Sequence, residues 1–273
     1  MGPQTSNIEH QISNIQYMIS QIKEGHVRSE VHNGIATVEF FHPQSNALPS
    51  GILEELAKEI HSISHDDEAK VIVIRSSGDK AFCAGASFDE LASIKTPEQG
   101  LVFFSGFAHL INEMRKCPKM IVGRVHGKCV GGGLGIAAAV DYCIAVDAAE
   151  IRLSELSLGI GPFVVGPPVE RKIGLSAFSQ IALDATLWRS ADWAKRKGLY
   201  AEVHDSIEGL DEAVHRIASA LSHSNPAAMA EMKKIFWKGT EHWDTLLFER
   251  AAISGKLVVS EFTQNAIAKF KKK

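Results

Sequence analysis

The sequence has few cysteines, no long apolar run and little net charge. Its 273 residues include four cysteines and no CxxC pair, so neither a disulfide-dense scaffold nor a zinc ribbon is expected. No run reaches the roughly 18 apolar residues of a membrane helix, and the first residues lack the basic-then-apolar order of a signal peptide. The formal charge of −3 disfavours a basic nucleic-acid binder. We therefore expect a soluble cytoplasmic protein that binds neither nucleic acid nor membrane.

Familiar cofactor and metal signatures are missing as well. The chain has no GxxxxGK[ST] phosphate loop and no GxGxxG dinucleotide motif, because its glycine run from Gly127 to Gly135 is GxxxGGGxG. Among 12 histidines, His61 and His65 lie four residues apart, but they fall on the exposed face of a predicted helix. We therefore expect no metal and no redox cofactor.

The pattern of apolar residues divides the chain into three parts. Residues 1–26 form a predicted N-terminal helical extension, whose apolar stripe consists of Ile8, Ile12, Ile15, Ile19 and Ile22. Residues 27–195 alternate strand-like and helical segments, which is typical of an α/β core with a largely parallel sheet. Residues 196–273 are mainly helical in pattern. The predicted strands cover 35–41, 70–75, 120–125, 142–146 and 200–204; the predicted helices cover 50–62, 97–115, 176–184, 190–197, 208–222, 226–238 and 241–269, with a short apolar helix ending at Ala139.

Three segments hold the residues best suited to chemistry. Residues 80–88 are mostly small, residues 126–135 join a strand to a helix through five glycines, and residues 153–162 hold Glu155 among leucines. Glycines at such a turn serve either close packing of the helix on the sheet or close approach of the backbone to a ligand. Free N–H groups at a helix start suit a phosphate or an oxyanion. Because no phosphate-binding lysine follows the glycines, we favour a carbonyl oxygen that gains negative charge.

Together the three segments resemble the crotonase superfamily of enoyl-CoA hydratases and isomerases. The resemblance runs from Val27 to the C-terminus and rests on AFCAGASFDEL at 81–91, GKCVGGGLGIAAAVDYCIA at 127–145 and SELSLGIGP at 154–162. It implies an α/β fold of the crotonase type, a spiral of ββα units with a helical C-terminal trimerisation region. It also implies an acyl-CoA substrate and assembly as a homotrimer or a dimer of trimers.

The resemblance assigns roles to particular positions. The backbone N–H groups of Ala86 and Gly132 match the family's oxyanion hole, which binds the thioester carbonyl of the substrate. The residues that match the CoA-contacting stretch are Cys83, Ala84, Ala86, Ser87 and Phe88. At position 87 the chain departs from the aspartate that is common in the family. CoA enters as part of the substrate, so the resemblance implies no separate cofactor.

The two catalytic carboxylates of family hydratases fall on Gly135 and Glu155. Gly135 has no side chain, so Glu155 is the remaining candidate for acid-base chemistry. Its leucine neighbours predict a buried carboxyl with a raised pKa, which suits proton transfer. This single-glutamate pattern is most similar to hydratases of the methylglutaconyl-CoA type. We expect a hydratase that adds water across C2=C3. The alternatives are a Δ3,Δ2-enoyl-CoA isomerase and a catalytically lapsed protein that binds CoA esters.

Bulky apolar side chains are expected around the acyl group of the substrate. The predicted acyl pocket consists of Phe88, Leu91, Gly135, Phe163 and Val164. Its bulk suggests a short or branched acyl group. Asp141 matches a position that is structural in the family, so we expect it to cap or pack rather than to react.

Overall fold

The computed structural model describes residues 25–270. The predicted N-terminal helix, with its isoleucine stripe, lies outside the described residues. In chain order the strands are β1 (His26–His32), β2 (Ile35–Phe41), β3 (Ala47–Leu48), β4 (Val71–Ser76), β5 (Ala81–Cys83), β6 (Gly85–Ala86), β7 (Met120–Val125), β8 (Lys128–Val130), β9 (Tyr142–Val146), β10 (Ile151–Arg152) and β11 (Glu202–His204).

A six-stranded sheet, ordered β1-β2-β4-β7-β9-β11, forms the centre of the fold. All its neighbouring strands are parallel except β1 and β2. The apolar run of β4 is buried from Val71 to Ile74, as expected of a strand covered on both faces. β1 was not predicted, because it is an edge strand with mostly exposed, polar residues and so lacks apolar alternation. It joins β2 through Asn33 and Gly34, both at positive φ, as in a tight hairpin turn.

Two small parallel sheets lie beside this centre and carry the glycine-rich segments. One has the order β10-β8-β5, and the other pairs β3 with β6. The chain therefore returns repeatedly from the large sheet to short strands, and the predicted α/β class is confirmed.

Ten α-helices and one short 3-10 helix (Glu155–Leu158) complete the described residues. The helices are α1 (Ser50–Ser64), α2 (Phe88–Ser93), α3 (Pro97–Lys116), α4 (Gly132–Ala139), α5 (Gly166–Leu183), α6 (Ala191–Arg196), α7 (Ile207–Ser222), α8 (Pro226–Phe236), α9 (Trp243–Val258) and α10 (Glu261–Phe270).

Most predicted helices are confirmed within a few residues, but two predictions differ from the structure. The helix predicted over 241–269 is two helices, because the Ser260 hydroxyl accepts a hydrogen bond from the Thr263 N–H at 3.3 Å and caps a new helix. The second difference is a helical segment that was not predicted: residues 166–173 are helical, and Gly174, whose φ of 76° is not helical, separates them from the predicted helix at 176–184.

The long helix α3 connects the C-terminal helices to the core. It packs on α9 where Gly100 meets Gly255: a Cβ on Gly100 would lie 2.6 Å from the Gly255 Cα. This close approach places Phe104 and Phe107 of α3 beside the glycine-rich turn after β8.

The buried core also holds one ionic cluster at Asp141. This carboxylate accepts hydrogen bonds from Lys233 Nζ at 2.6 Å, Trp237 Nε1 at 2.9 Å and the Ile121 N–H at 2.8 Å. It therefore ties α8 to the large sheet, in line with the structural role expected for it. No helix among residues 25–270 is long and apolar enough to span a membrane. The boundaries of the predicted parts at 27–195 and 196–273 stay predictions.

Candidate active site

Two backbone segments from the small sheets meet at the candidate site. β6 ends at Ala86, and the turn after β8 leads into α4 at Gly132. A Cβ on Gly85 would lie 2.9 Å from the Val130 carbonyl oxygen and 3.5 Å from the Gly132 nitrogen. Because Gly85 has no side chain, the two backbones approach one another directly.

The backbone N–H groups of Ala86 and Gly132 both lie where these two segments meet. The Ser87 N–H donates to the Leu48 carbonyl on β3 at 3.2 Å, so the preceding N–H of Ala86 faces the opposite edge of its strand. Gly132 is the first residue of α4, and the first N–H groups of a helix have no partner within it. Gly131, at φ 49°, makes the sharp turn that begins the helix.

Glu155 lies on the 3-10 helix after β10, directly across from this turn. A Cβ on Gly131 would lie 2.9 Å from Glu155 Oε1. The residue is partly exposed, but its Oε2 is buried and has no hydrogen-bond partner among the described residues. Burial raises the pKa of the Glu155 carboxyl to about 7, against smaller lowering effects from a backbone hydrogen bond and from the charge of Arg152. Such a group exchanges a proton readily near neutral pH.

A small inner cavity, with a volume of about 60 Å³, contains Glu155 and the glycine-rich turn. Glu155 is the one ionisable side chain of its lining within the described chain, and the remaining walls are mostly apolar. The lining residues are Ala84, Gly85, Ala86, Phe88, Leu91, Phe104, Phe107, Val130, Gly131, Gly132, Ser154, Glu155, Leu158, Ile160, Gly161, Pro162, Phe163, Val164, Val165 and Ser254.

An outer cavity of about 510 Å³ adjoins the inner one. The two share six lining residues: Ala84, Ala86, Phe88, Val130, Ser154 and Leu158. The remaining lining of the outer cavity is more polar: Gln44, Ser45, Ala47, Asp89, Arg152, Ser157, Ala185, Thr186 and Trp188. The two cavities therefore form an apolar inner chamber and a more polar outer one, which meet at Ala86, Val130 and Ser154.

The structure brings most of the predicted site residues together. Ala86 and Gly132 line the inner cavity with Glu155, and the predicted pocket residues Leu91, Phe163 and Val164 line it too. Ala84 and Phe88, predicted to contact CoA, lie where the two cavities join.

Three predicted residues lie outside both cavity linings. Cys83 is fully buried against Gly133, and burial raises the pKa of its thiol to about 12. Ser87 caps α2, its hydroxyl accepting a hydrogen bond from the Glu90 N–H at 3.4 Å. Gly135 faces Val165: a Cβ on Gly135 would lie 2.6 Å from Val165 Cγ1. Val165 therefore occupies the space in which a second carboxylate would begin.

Several residues that line the two cavities could not be predicted from the sequence. Phe104 and Phe107 come from α3, far from any of the three motifs, and an aromatic pair at helical spacing is indistinguishable from ordinary core. Arg152 and Trp188 are far apart in the sequence and come together only in the fold, where the guanidinium carbon lies 4.4 Å from the ring centre. Among residues 25–270, no three His, Cys, Asp or Glu side chains cluster in a way that would hold a metal ion.

Comparison with known families agrees with this geometry. The family model described as enoyl-CoA hydratase/isomerase matches residues 30–270. The chain belongs to the enoyl-CoA hydratase/isomerase family. It is 30% identical over 200 residues to the mitochondrial methylglutaconyl-CoA hydratase of Mus musculus, covering 72% of this chain and 63% of that protein. The match to the human protein of the same name covers 58% of that protein, so the chain spans less than two thirds of both.

Other members of the enoyl-CoA hydratase/isomerase family match over more of their length. The short-chain-enoyl-CoA hydratase of Clostridium acetobutylicum is 28% identical, over 88% of this chain and 92% of that protein. The crystal structure of enoyl-CoA hydratase from Bacillus halodurans superposes with a TM-score of 0.82 at 22% identity, over 89% of this chain and 99% of that one. The predicted crotonase-type fold is confirmed by these similarities.

Proposed function

We propose that this protein is a lyase that adds water across the C2=C3 double bond of a short or branched enoyl-CoA thioester. The observation that supports this most directly is the carboxyl of Glu155, which has one buried, unpartnered oxygen and lies across from the glycine-rich turn that begins α4. The relatives named as hydratases support the same reaction type.

In the proposed reaction, the thioester oxygen accepts hydrogen bonds from the N–H groups of Ala86 and Gly132. Ionised Glu155 takes a proton from a water molecule while the water oxygen bonds to C3. The electron pair of the double bond moves toward the carbonyl, and the negative charge that develops there is stabilised by the two donors. Glu155 then returns its proton to C2. One such donor lowers a barrier of this kind by about 3 kcal/mol.

The substrate binds across the two cavities in this proposal. The acyl group occupies the apolar inner cavity, and the CoA portion passes Ala84 and Phe88 into the outer one. Glu155 alone takes the proton from water and returns it to C2, so the proposed reaction requires no metal and no redox cofactor, and CoA is part of the substrate. The trimer or dimer of trimers and the cytoplasmic location stay predictions.

A Δ3,Δ2-enoyl-CoA isomerase is the second candidate. It is favoured by the inner cavity, whose lining among the described residues has no second carboxyl beside Glu155. In that reaction Glu155 takes a proton from C2 of a 3-enoyl thioester and returns it to C4, with no water consumed.

The test uses the purified full chain with crotonyl-CoA, 3-methylglutaconyl-CoA and 3-hexenoyl-CoA. If the protein is a hydratase, we expect loss of the conjugated enoyl absorbance with the first or second substrate. The hydration rate should fall about 10²-fold or more in Glu155→Gln. Conversion of 3-hexenoyl-CoA alone would establish the isomerase instead. Binding of the thioesters without any turnover would indicate the lapsed form. Full hydration by the variant would refute the role of Glu155.

A further inference from the structure

Arg152 lies beside the reacting groups and has no role in the proposed reaction. On β10 it pairs with Val130 of β8, and its carbonyl accepts the Gly131 N–H at 3.0 Å. Successive residues of a strand face opposite sides, and Ile151 is fully buried in the core. The side chain of Arg152 therefore faces the outer cavity, whose wall it helps to form.

The guanidinium group of Arg152 lies over an aromatic ring and, although the charge of Glu155 acts on it, forms no ion pair with a carboxylate of the described residues. Its central carbon lies 4.4 Å from the ring centre of Trp188, and its Nε is buried with no hydrogen-bond partner among the described residues. Lys128 lies over the same ring at 4.5 Å, but it is paired with Glu150 at 3.0 Å. No carboxylate within the described chain makes a comparable ion pair with Arg152. A stacked guanidinium keeps its N–H edge available for a carboxylate or a phosphate.

We propose that Arg152, stacked on Trp188, forms an anion-binding subsite of the outer cavity that holds a negatively charged group of the substrate. The hydroxyl residues Ser154, Ser157 and Thr186 line the same cavity and suit the oxygens of such a group. This inference rests on the proposed function, because it assumes that an acyl-CoA thioester spans both cavities.

The apolar lining of the inner cavity makes this anion-binding subsite important for the choice of acyl group. Its lining among the described residues includes no basic side chain, so a charged end of the acyl group has no counter-ion there. Ser154 borders both cavities, so a substituent on the acyl group can leave the apolar chamber on the side of Arg152. The anion is thus either a carboxylate on the acyl group or a phosphate of CoA.

Binding of unreactive saturated thioesters separates these sources without requiring turnover. Calorimetric titration would measure the affinity of the wild-type protein and of Arg152→Gln for three ligands. These are glutaryl-CoA, butyryl-CoA and butyryl-pantetheine, which lacks the phosphates. Lys128→Gln is the matched control, because it removes a cation from the same ring without touching the cavity lining. The thermal midpoint of each variant monitors folding.

Each outcome decides the proposal. If the affinity of Arg152→Gln falls about ten-fold or more for glutaryl-CoA alone, the anion is a carboxylate of the acyl group. An equal loss for both CoA esters, with the pantetheine ester unchanged, identifies a phosphate. No change for any ligand, an equal loss for all three, or an equal effect of Lys128→Gln would overturn the subsite. Failure of the wild-type protein to bind any of the three would refute the proposed function itself.

Discussion

Replacing Glu155 by glutamine should stabilise the folded protein while it abolishes the proposed activity. An unperturbed glutamate has a pKa of 4.5, and burial raises the pKa of Glu155 to about 7. Between these values the unfolded chain has lost the proton that the folded chain still holds. Ionisation therefore favours the unfolded state progressively as the pH rises through this window, and the penalty is constant above it.

The size of this effect follows from the pKa difference. One pKa unit corresponds to about 1.4 kcal/mol, so a rise from 4.5 to about 7 amounts to about 3 kcal/mol. Glutamine keeps the shape of the side chain but cannot ionise. The free energy of unfolding of Glu155→Gln, relative to wild type, should therefore increase by about 3 kcal/mol between pH 4.5 and pH 8.

Urea unfolding of both proteins at several pH values and one protein concentration measures the difference. Glu231→Gln, which removes an exposed carboxylate on α8, is the control for the loss of one negative charge. A Glu155→Gln difference that stays constant from pH 4.5 to 8 would show that the carboxyl is solvated in the folded state, and the reasoning from burial would be wrong.

Three other predictions concern the same site and its support. The kcat/KM of the wild-type protein should fall below a pH of about 7, because the ionised form of Glu155 acts as the base; a flat pH–rate profile from 5 to 8 would contradict this. Gly135→Glu should not raise hydratase activity and should lower the thermal midpoint, because its Cβ would meet Val165 at 2.6 Å. Asp141→Ala should cost about 3–5 kcal/mol in urea unfolding, because it leaves Lys233 buried without its carboxylate; a loss below about 1 kcal/mol would refute this.

The large sheet could be predicted because its buried strands have a clear apolar pattern in the sequence. β4 and β7 are apolar runs buried on both faces, and such runs are rare outside strands and core helices. β1 has no such apolar run, because an edge strand requires no apolar face. Its only clear sequence signal is the hairpin turn that follows it.

The glycine run shows why two interpretations of one motif can both hold. A Cβ on Gly132 would lie 2.2 Å from Phe107, and one on Gly133 would lie 2.5 Å from the Cβ of Cys83, so these glycines do allow close packing. The same close packing leaves the first N–H of α4 at the cavity wall. From the sequence alone, packing and ligand approach are alternatives, yet the backbone arrangement of the fold is compatible with both.

The family resemblance singled out Glu155 by its place after the glycine run, but its surroundings could not be predicted. Val165 reaches the cavity from the turn before α5 and Phe107 from α3, and the packing of both depends on the whole tertiary structure. The stacking of Arg152 on Trp188 likewise joins residues that no local pattern connects.

The ladder between β8 and β10 has a consequence for redesign of this protein. Through the bond from the Gly131 N–H to the Arg152 carbonyl, one peptide scaffold supports both the donor at Gly132 and the acid that follows Arg152 by three positions. The backbone positions of the proposed donor, Gly132, and of the proposed acid, Glu155, are thus held relative to one another by main-chain pairing. Side chains around the chamber can therefore be exchanged to accept new acyl groups while that spacing is inherited unchanged.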